Sequence, residues 1–264
     1  MTPTKHDLLS RITPLILTLN EERNIGRTLE KLSWAKDVVV LDSLSTDATV
    51  AIVSGFRNAR VFTRAFTTHA EQWEFGRTAT GIRTEWVLAL DADYVLTDEL
   101  VGELSNLNPP DEVAGYSASF LYCIDGIRLR GGIYPPVTVL YRRAKAVYIQ
   151  EGHTQRVVVS GEVGRLSAPI LHDDRKSPEQ WRIAQERYMK LEAEKLMRAP
   201  FSRLRWRDRL RKLVVVAPVL VLFYCLFVRG NILSGKAGIR YSMQRATAEA
   251  ILSGMLLRTI TRRS

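Results

Sequence analysis

Residues 86–94 read Trp-Val-Leu-Ala-Leu-Asp-Ala-Asp-Tyr, an apolar run closed by two aspartates with one residue between them. At the end of a strand, Asp91 and Asp93 can both turn toward one divalent cation, and their hard oxygens suit Mg²⁺ or Mn²⁺. Such an ion keeps several waters, binds substrate phosphates and neutralises charge on a departing diphosphate. Taken alone, Asp-X-Asp is also an ordinary solvated turn or helix cap. A second group with chemical use is Glu151-Gly152-His153. An imidazole, with an unperturbed pKa near about 6.5, suits a general base, so His153 is the expected base and Glu151 its neighbouring alternative. A third metal ligand at His153, or a solvated loop for both residues, are the competing readings.

These side chains need elements that bring them together. Pro14-Leu-Ile-Leu-Thr-Leu19 reads as a first buried strand ending at Asn20-Glu21-Glu22, and Ile25, Leu29 and Leu32 then recur at helical spacing. Val38-Val-Val-Leu41 is a second, β-branched strand that ends at Asp42-Ser43. Ser45-Thr-Asp-Ala-Thr49 offers N-cap residues for the next helix. This alternation predicts a doubly wound α/β sheet. Ligands of such sheets lie outside the carboxyl ends of the strands, so Asn20, Glu21, Asp42 and Asp91 are expected on one rim. For Asp42 alone, strand-end turn chemistry is the equal alternative.

Three segments, Leu17-Thr-Leu-Asn-Glu-Glu-Arg-Asn-Ile25, Val39-Val-Leu-Asp-Ser-Leu-Ser-Thr-Asp-Ala-Thr49 and Trp86-Val-Leu-Ala-Leu-Asp-Ala-Asp93, match the motifs of family 2 glycosyltransferases in order and spacing. The chain resembles that family over roughly residues 12–195, and within it the branch of lipopolysaccharide-core and envelope-polysaccharide transferases of bacteria. Further echoes are Gly131-Gly-Ile-Tyr-Pro135, Gly161-Glu-Val-Gly-Arg-Leu166, Ile170-Leu-His172 and Leu191-Glu-Ala-Glu194. The resemblance implies a GT-A fold with a doubly wound mixed sheet. It implies an inverting, metal-dependent transferase that uses a nucleotide-diphospho-sugar donor. It also implies nucleotide-sugar contacts at Leu19, Asn20, Glu21, Asp42, Ser43, Gln72, Asp91 and Ala92, with Asp42 on the base and the metal on Asp91 and Asp93. Two positions depart from the pattern. Gln72-Trp73-Glu74 stands where the family carries Gln-Arg-Asn, and His153-Thr154-Gln155 where it carries Val-His-Glu. A glutamine cannot accept the acceptor proton, so the family's base does not carry over to Gln155. A non-catalytic, GT-A-like scaffold that binds nucleotide or membrane is therefore the alternative to an enzyme; the intact Asp91/Asp93 pair favours the enzyme.

At 264 residues and 46% hydrophobic, the chain can bury one full α/β core and carry a short appendage. The resemblance implies a transferase domain, 1–195, and composition sets apart a basic and apolar helical region, 196–264, expected to associate with membrane. The net charge of +10 gathers there: Arg198, Arg203, Arg205, Arg207, Arg209, Arg211 and Lys212 precede an uncharged run from Leu213 to Val228. That run is shorter than the roughly 20 residues of a straight span, and Pro218 is expected to kink it. A basic cluster beside an apolar segment suits an anionic cytoplasmic leaflet, at about 1 kcal/mol per Lys or Arg. Burial in a larger core, or a true span, are the alternatives. Gly230 to Leu257 resumes as an amphipathic helix with Ile239, Met243, Ala246 and Ala250 on its apolar stripe.

Cys123 and Cys225 are far apart and suggest neither a disulfide framework nor a zinc site, which points to a reducing compartment. No apolar h-region is visible at the N-terminus, so no signal peptide is expected. The expected place is the cytoplasmic face of the inner membrane, peripheral or monotopic, with a lipid-linked or glycan acceptor. No nucleic-acid partner is expected, because no base-reading module accompanies the basic run. Softer candidates remain. His172-Asp173-Asp174 reads as a metal or phosphate cluster, or as the cap of a helix opening at Ser177-Pro178. Arg142 and Arg143 fit a diphosphate or plain surface charge, and Gly131 to Pro136 fits a loop over the acceptor site or a turn cluster.

Overall fold

Continuous apolar strands can be covered on both faces, and the middle of the sheet is built from them. The computed structural model describes residues 8–151, 154–204 and 206–261. Strands β1 (Ile12–Thr18), β2 (Val38–Asp42), β3 (Ala59–Thr63) and β4 (Trp86–Asp91) alternate with helices α1 (Ile25–Glu30), α2 (Thr49–Ser54) and α3 (His69–Ala79). Then follow β5 (Tyr94–Leu96), α4 (Asp98–Asn106), β6 (Val113–Ala118), β7 (Phe120–Ile124), β8 (Ile127–Arg128), β9 (Val137–Arg142), β10 (Ala146–Glu151), β11 (Thr154–Val159), β12 (Glu162–Arg165) and β13 (Ile170–His172). The central sheet has seven strands in the order β12-β6-β9-β4-β1-β2-β3. β3, β2, β1 and β4 are parallel, whereas β9 runs antiparallel to both β4 and β6, so the sheet is mixed. Strand order reverses between β1 and β4, and the crevice such a reversal opens lies at their carboxyl ends. Asn20 and Asp91 leave the sheet there.

Contacts divide the described chain into two compact units. The first comprises residues up to Leu121 together with Tyr134–Arg175, and the second Tyr122–Ile133 together with the residues from Lys176 on. In the first, Ile16, Val40, Leu88 and Leu90 are fully buried with Ile25, Leu29 and Leu32 of the α1 segment. Each such side chain contributes about 1.5–3 kcal/mol by leaving water. A second cluster packs Trp73 of α3 on Tyr148 of the β10–β11 hairpin, with the rings stacked 5.5 Å apart.

The second unit begins with the β7–β8 hairpin, whose two turn residues, Asp125 and Gly126, take φ of 51° and 82° as a tight hairpin turn requires. Its helices are α5 (Pro178–Arg198), α6 (Trp206–Arg211), α7 (Val216–Phe223), a π-helical turn (Tyr224–Val228) and α8 (Gly235–Thr261). Ser177 caps α5 in a reciprocal box with Gln180, and Pro178 opens the helix. The composition boundary after residue 195 falls inside α5. Cys123 and Cys225 are both buried in this unit as free thiols, and burial pushes the Cys225 thiol above its usual range.

Two expectations about this region are corrected. Pro218 does not kink the apolar run, because it stands in the first turn of α7, where a missing N–H breaks no helical bond. The bend comes at the π-helical turn and Gly230 (φ 67°). The buried face of α8 carries Tyr241, Ala248, Leu252 and Leu256, while Ile239, Met243 and Ala250 are exposed. On the same helix Glu249 turns inward to Arg211. Arg211 is not an unpaired surface cation: it donates to Glu249 at 2.6 Å and to Glu192 at 3.2 Å. Among the described residues no single helix is long and apolar enough to cross a membrane; the pair Val216–Val228 and Asn231–Arg258, bent by 69°, meets that length and composition only together.

Removing one partner of a buried ionic cluster strands the others. Arg211→Met should destabilise the protein by about 3–5 kcal/mol, read as a lower urea midpoint. Arg209→Met, whose guanidinium only covers Phe201 and two carbonyls, should cost under about 1 kcal/mol.

Candidate functional site

Hydrogen bonds hold the loops leaving β1 and β2 to each other. Asn20 takes a left-handed conformation (φ 56°), which an asparagine tolerates. Its N–H donates to Ser45 Oγ at 2.8 Å, and its Oδ1 accepts from the Thr46 N–H at 2.9 Å. The Glu21 N–H donates to Thr49 Oγ1 at 2.7 Å, and the Glu22 N–H to Asp47 Oδ2 at 3.1 Å. Burial pushes the Asp47 carboxyl upward, but the Thr49 hydroxyl and the Thr49 and Glu22 amides outweigh it and hold it below its ordinary value.

Asp42 anchors this pair of loops. It is 1% exposed, and its Oδ1 accepts from Thr18 Oγ1 at 2.8 Å and Ser45 Oγ at 2.5 Å, while Oδ2 accepts from the Ser45 N–H at 2.7 Å. It is thus a turn-forming residue, whatever else it contacts. Leu44, with φ of 65° and 56% exposure, is the most open point of the turn it closes. Ser43 accepts from Gln72 Nε2 at 3.1 Å. Gln72 is fully buried and also donates to the Arg64 carbonyl, while the Arg64 guanidinium donates to Gln72 Oε1. Leu19, half-buried, joins β1 to the loop.

The end of β4 is gripped from three sides. Thr28 Oγ1 donates to the carbonyl of buried Ala92 at 2.7 Å, and the Asp173 N–H donates to the Asp93 carbonyl at 3.1 Å. β5 and β13 pair antiparallel with His172 opposite Tyr94, and that register brings His172 Nε2 to 3.0 Å from Asp93 Oδ2. Burial lowers the pKa of His172, but Asp93, then Asp91 and Asp174, reverse this and raise it above the usual value. Behind them, Arg27 donates to Asp173 Oδ2 and to the Asn24 side chain, both at 2.8 Å, and Asn24 donates to Glu21 at 2.8 Å and Asp174 at 3.0 Å. Asp91 itself is exposed. Among the described residues no three His, Cys, Asp or Glu side chains are grouped to hold a metal ion by themselves. The donor set at the rim, two carboxylates with an imidazole on one of them, is nonetheless the chemistry of a hard divalent cation whose other ligands are water or phosphate.

The structure brings Leu19, Asn20, Glu21, Asp42, Ser43, Asp91, Ala92 and Asp93 to one rim and places Gln72 behind Ser43. Glu151 ends β10 opposite Thr154, and His153 lies outside the described residues. Arg142 and Arg143 are not at the rim. Arg142 pairs with Trp86 at the far end of β4 and forms an ion pair with Glu85, and the Arg143 N–H donates to the Glu85 carbonyl. His172 caps no helix; Ser177 does, and His172 is a strand residue on Asp93. Sequence reading missed Thr18, Arg27 and Arg64, and offered Ser45 as a helix cap, whereas α2 opens after Ala48 with no side-chain cap. Ser45 lies three residues past Asp42 in an Asx-type turn and was recoverable; the Arg27–Asp173 pair spans 146 positions and was not.

Residues 15–161 match the sequence model described as glycosyl transferase family 2. The chain belongs to that family, and its mixed α/β sheet is GT-A-like. It is 26% identical over 227 residues to the lipopolysaccharide core biosynthesis glycosyltransferase LpsC of Rhizobium meliloti, covering 80% of this chain and 79% of that protein. It is 34% identical over 98 residues to an uncharacterized glycosyltransferase of Rickettsia bellii, covering 37% and 32% of the two. Among solved structures, glucosyl-3-phosphoglycerate synthase of M. tuberculosis aligns with a TM-score of 0.46 at 16% identity, covering 72% of this chain and 80% of that one.

Asp42→Ala should leave the Thr18 hydroxyl and the Ser45 amide without their acceptor. Leaving a buried donor unsatisfied costs about 1–3 kcal/mol, so the urea midpoint should fall. Asp42→Asn keeps one acceptor oxygen and should fall less.

Proposed function

We propose that this glycosyltransferase moves a sugar, with inversion, from a nucleotide-diphospho-sugar to a lipid-linked or membrane-proximal acceptor in lipopolysaccharide or envelope-polysaccharide assembly. The observation that carries the reading is the convergence of Asn20-Glu21, Asp42-Ser43 and Asp91–Asp93 at the reversal point of the sheet in a member of family 2. The similarity to LpsC supports the kind of product. The nucleoside lies against Leu19, Asn20, Glu21, Asp42 and Ser43, with Gln72 holding Ser43 from behind. Asp91 and Asp93 would hold Mg²⁺ or Mn²⁺, which supplies charge neutralisation to the diphosphate leaving group. Ala92 keeps the two carboxylates apart on a turn that Thr28 fixes. The acceptor proton goes to His153, or to Glu151 beside it. A non-catalytic scaffold would need no such carboxylate pair, and no observation favours it over the enzyme.

Hydrolysis of a panel of nucleotide-sugars, followed by nucleoside-diphosphate release, tests the reading directly. Asp93→Ala should lose metal-dependent UDP or GDP binding while its melting temperature stays within a few degrees. Affinity that is unchanged in the variant, with and without EDTA, would count against Asp93 as a ligand.

The second unit would hold the enzyme at the cytoplasmic face of an anionic membrane. Val215, Phe223, Phe227, Val228 and Leu233 are 71, 60, 55, 71 and 68% exposed, and no Asp or Glu occurs between Asp208 and Glu249. Flotation should carry the protein up with vesicles containing phosphatidylglycerol at low salt. Salt should weaken this only in part, because screening over about 8–10 Å reaches the charges and not the apolar contact. Protein left at the bottom of the gradient would overturn the location.

A further inference from the structure

The second unit joins two segments that are far apart in sequence. Residues Leu129–Ile133 belong to it although they stand mid-chain. The side chain of Asn231, fully buried, takes both backbone groups of Gly131: Nδ2 donates to the Gly131 carbonyl at 3.0 Å and Oδ1 accepts its N–H at 3.3 Å. The Arg130 N–H donates to Ser234 Oγ at 3.2 Å. A Cβ on Gly131 would stand 3.0 Å from Arg229 Nε and 3.2 Å from the Arg229 carbonyl oxygen, so a bare backbone is what lets the segment lie this close. Leu129 shares an apolar cluster with Cys225, Ala237 and Tyr241, and Ile133 packs against it.

Asn231 sits at the 69° bend between Val216–Val228 and Asn231–Arg258. It is a buried amide inside the most exposed apolar stretch of the unit, between Val228 and Leu233. Arg229 and Lys236 flank the bend, both exposed, in a stretch from 209 to 248 that carries no acid. Exposed apolar side chains ringed by unopposed cations match an anionic bilayer interface in both respects. An amide carried toward hydrocarbon without partners is strongly disfavoured. The bend can therefore approach lipid only with its amide satisfied, and the groups that satisfy it are those of Gly131.

We propose that the bend at Asn231 enters an anionic bilayer interface, and that Asn231 is a positioning residue that ties Leu129–Ile133 to the bend, so that this segment is protected together with the bend when the bend is in lipid. The proposal rests on the membrane location above and adds a consequence to it. Leu129–Ile133 runs directly into Tyr134-Pro135-Pro136 in the chain.

Hydrogen exchange of the full chain, with and without vesicles of equimolar phosphatidylcholine and phosphatidylglycerol, tests it. In the wild type, vesicles should slow exchange in 213–233 and also in 129–133, by about tenfold or more. Asn231→Ala should keep the slowing in 213–233 and lose it in 129–133; Asn231→Gln, which retains both amide groups, should restore part of it. If 213–233 is slowed and 129–133 is unchanged in the wild type, the coupling is overturned and the membrane location stands. If neither is slowed, the membrane location itself fails. Equal slowing of 129–133 in wild type and Asn231→Ala removes Asn231 from the role. Should Asn231→Ala not fold, the wild-type comparison still decides between coupled and uncoupled segments.

Discussion

Six carboxylates, Glu21, Asp42, Asp91, Asp93, Asp173 and Asp174, stand along one rim, and their mutual repulsion is the constraint that the rest of the first unit is arranged to meet. The parallel strands β2 and β4 each end in an acid and share a direction, so Asp42 and Asp91 reach the same edge. Carboxylates gathered at one edge repel one another unless cations or hydrogen-bond donors intervene. Here the donors are specific: hydroxyls and an amide at Asp42, His172 at Asp93, and Arg27 with Arg175 at Asp173. Asp91 is the exposed member.

The same arrangement explains why the rim is held by polar bonds rather than by packing. A surface that must admit a ligand cannot be closed over with leucines. Side chains from one loop instead satisfy the backbone of the other, as Ser45 and Thr49 do for Asn20 and Glu21. These bonds are short in sequence on each side but link segments about 25 residues apart, so they form only once β1 and β2 are paired. Order at the rim is inherited from the sheet.

Much of this was legible in the sequence, and the limits follow from range. Val38-Val-Val-Leu41 and Trp86 to Leu90 could only be buried strands, and their polar ends fixed the rim. The antiparallel insertion of β9 was not legible, because pairing across 50 residues leaves no local pattern. His172 looked like a cap because Ser177-Pro178 follows it, whereas its role is set by register with Tyr94. In α8 the helical period identified the element, but not that Glu249 turns inward to Arg211, which lies 38 positions away.

The two thiols lend the protein a built-in clock. Cys123 and Cys225 are 4% and 0% exposed, and both lie in the second unit. A thiol-reactive dye therefore meets neither in the folded protein. The rate of labelling times the excursions that uncover them. A cysteine introduced on the open rim, at Leu44 for instance, would take up a fluorophore long before the native thiols competed for it.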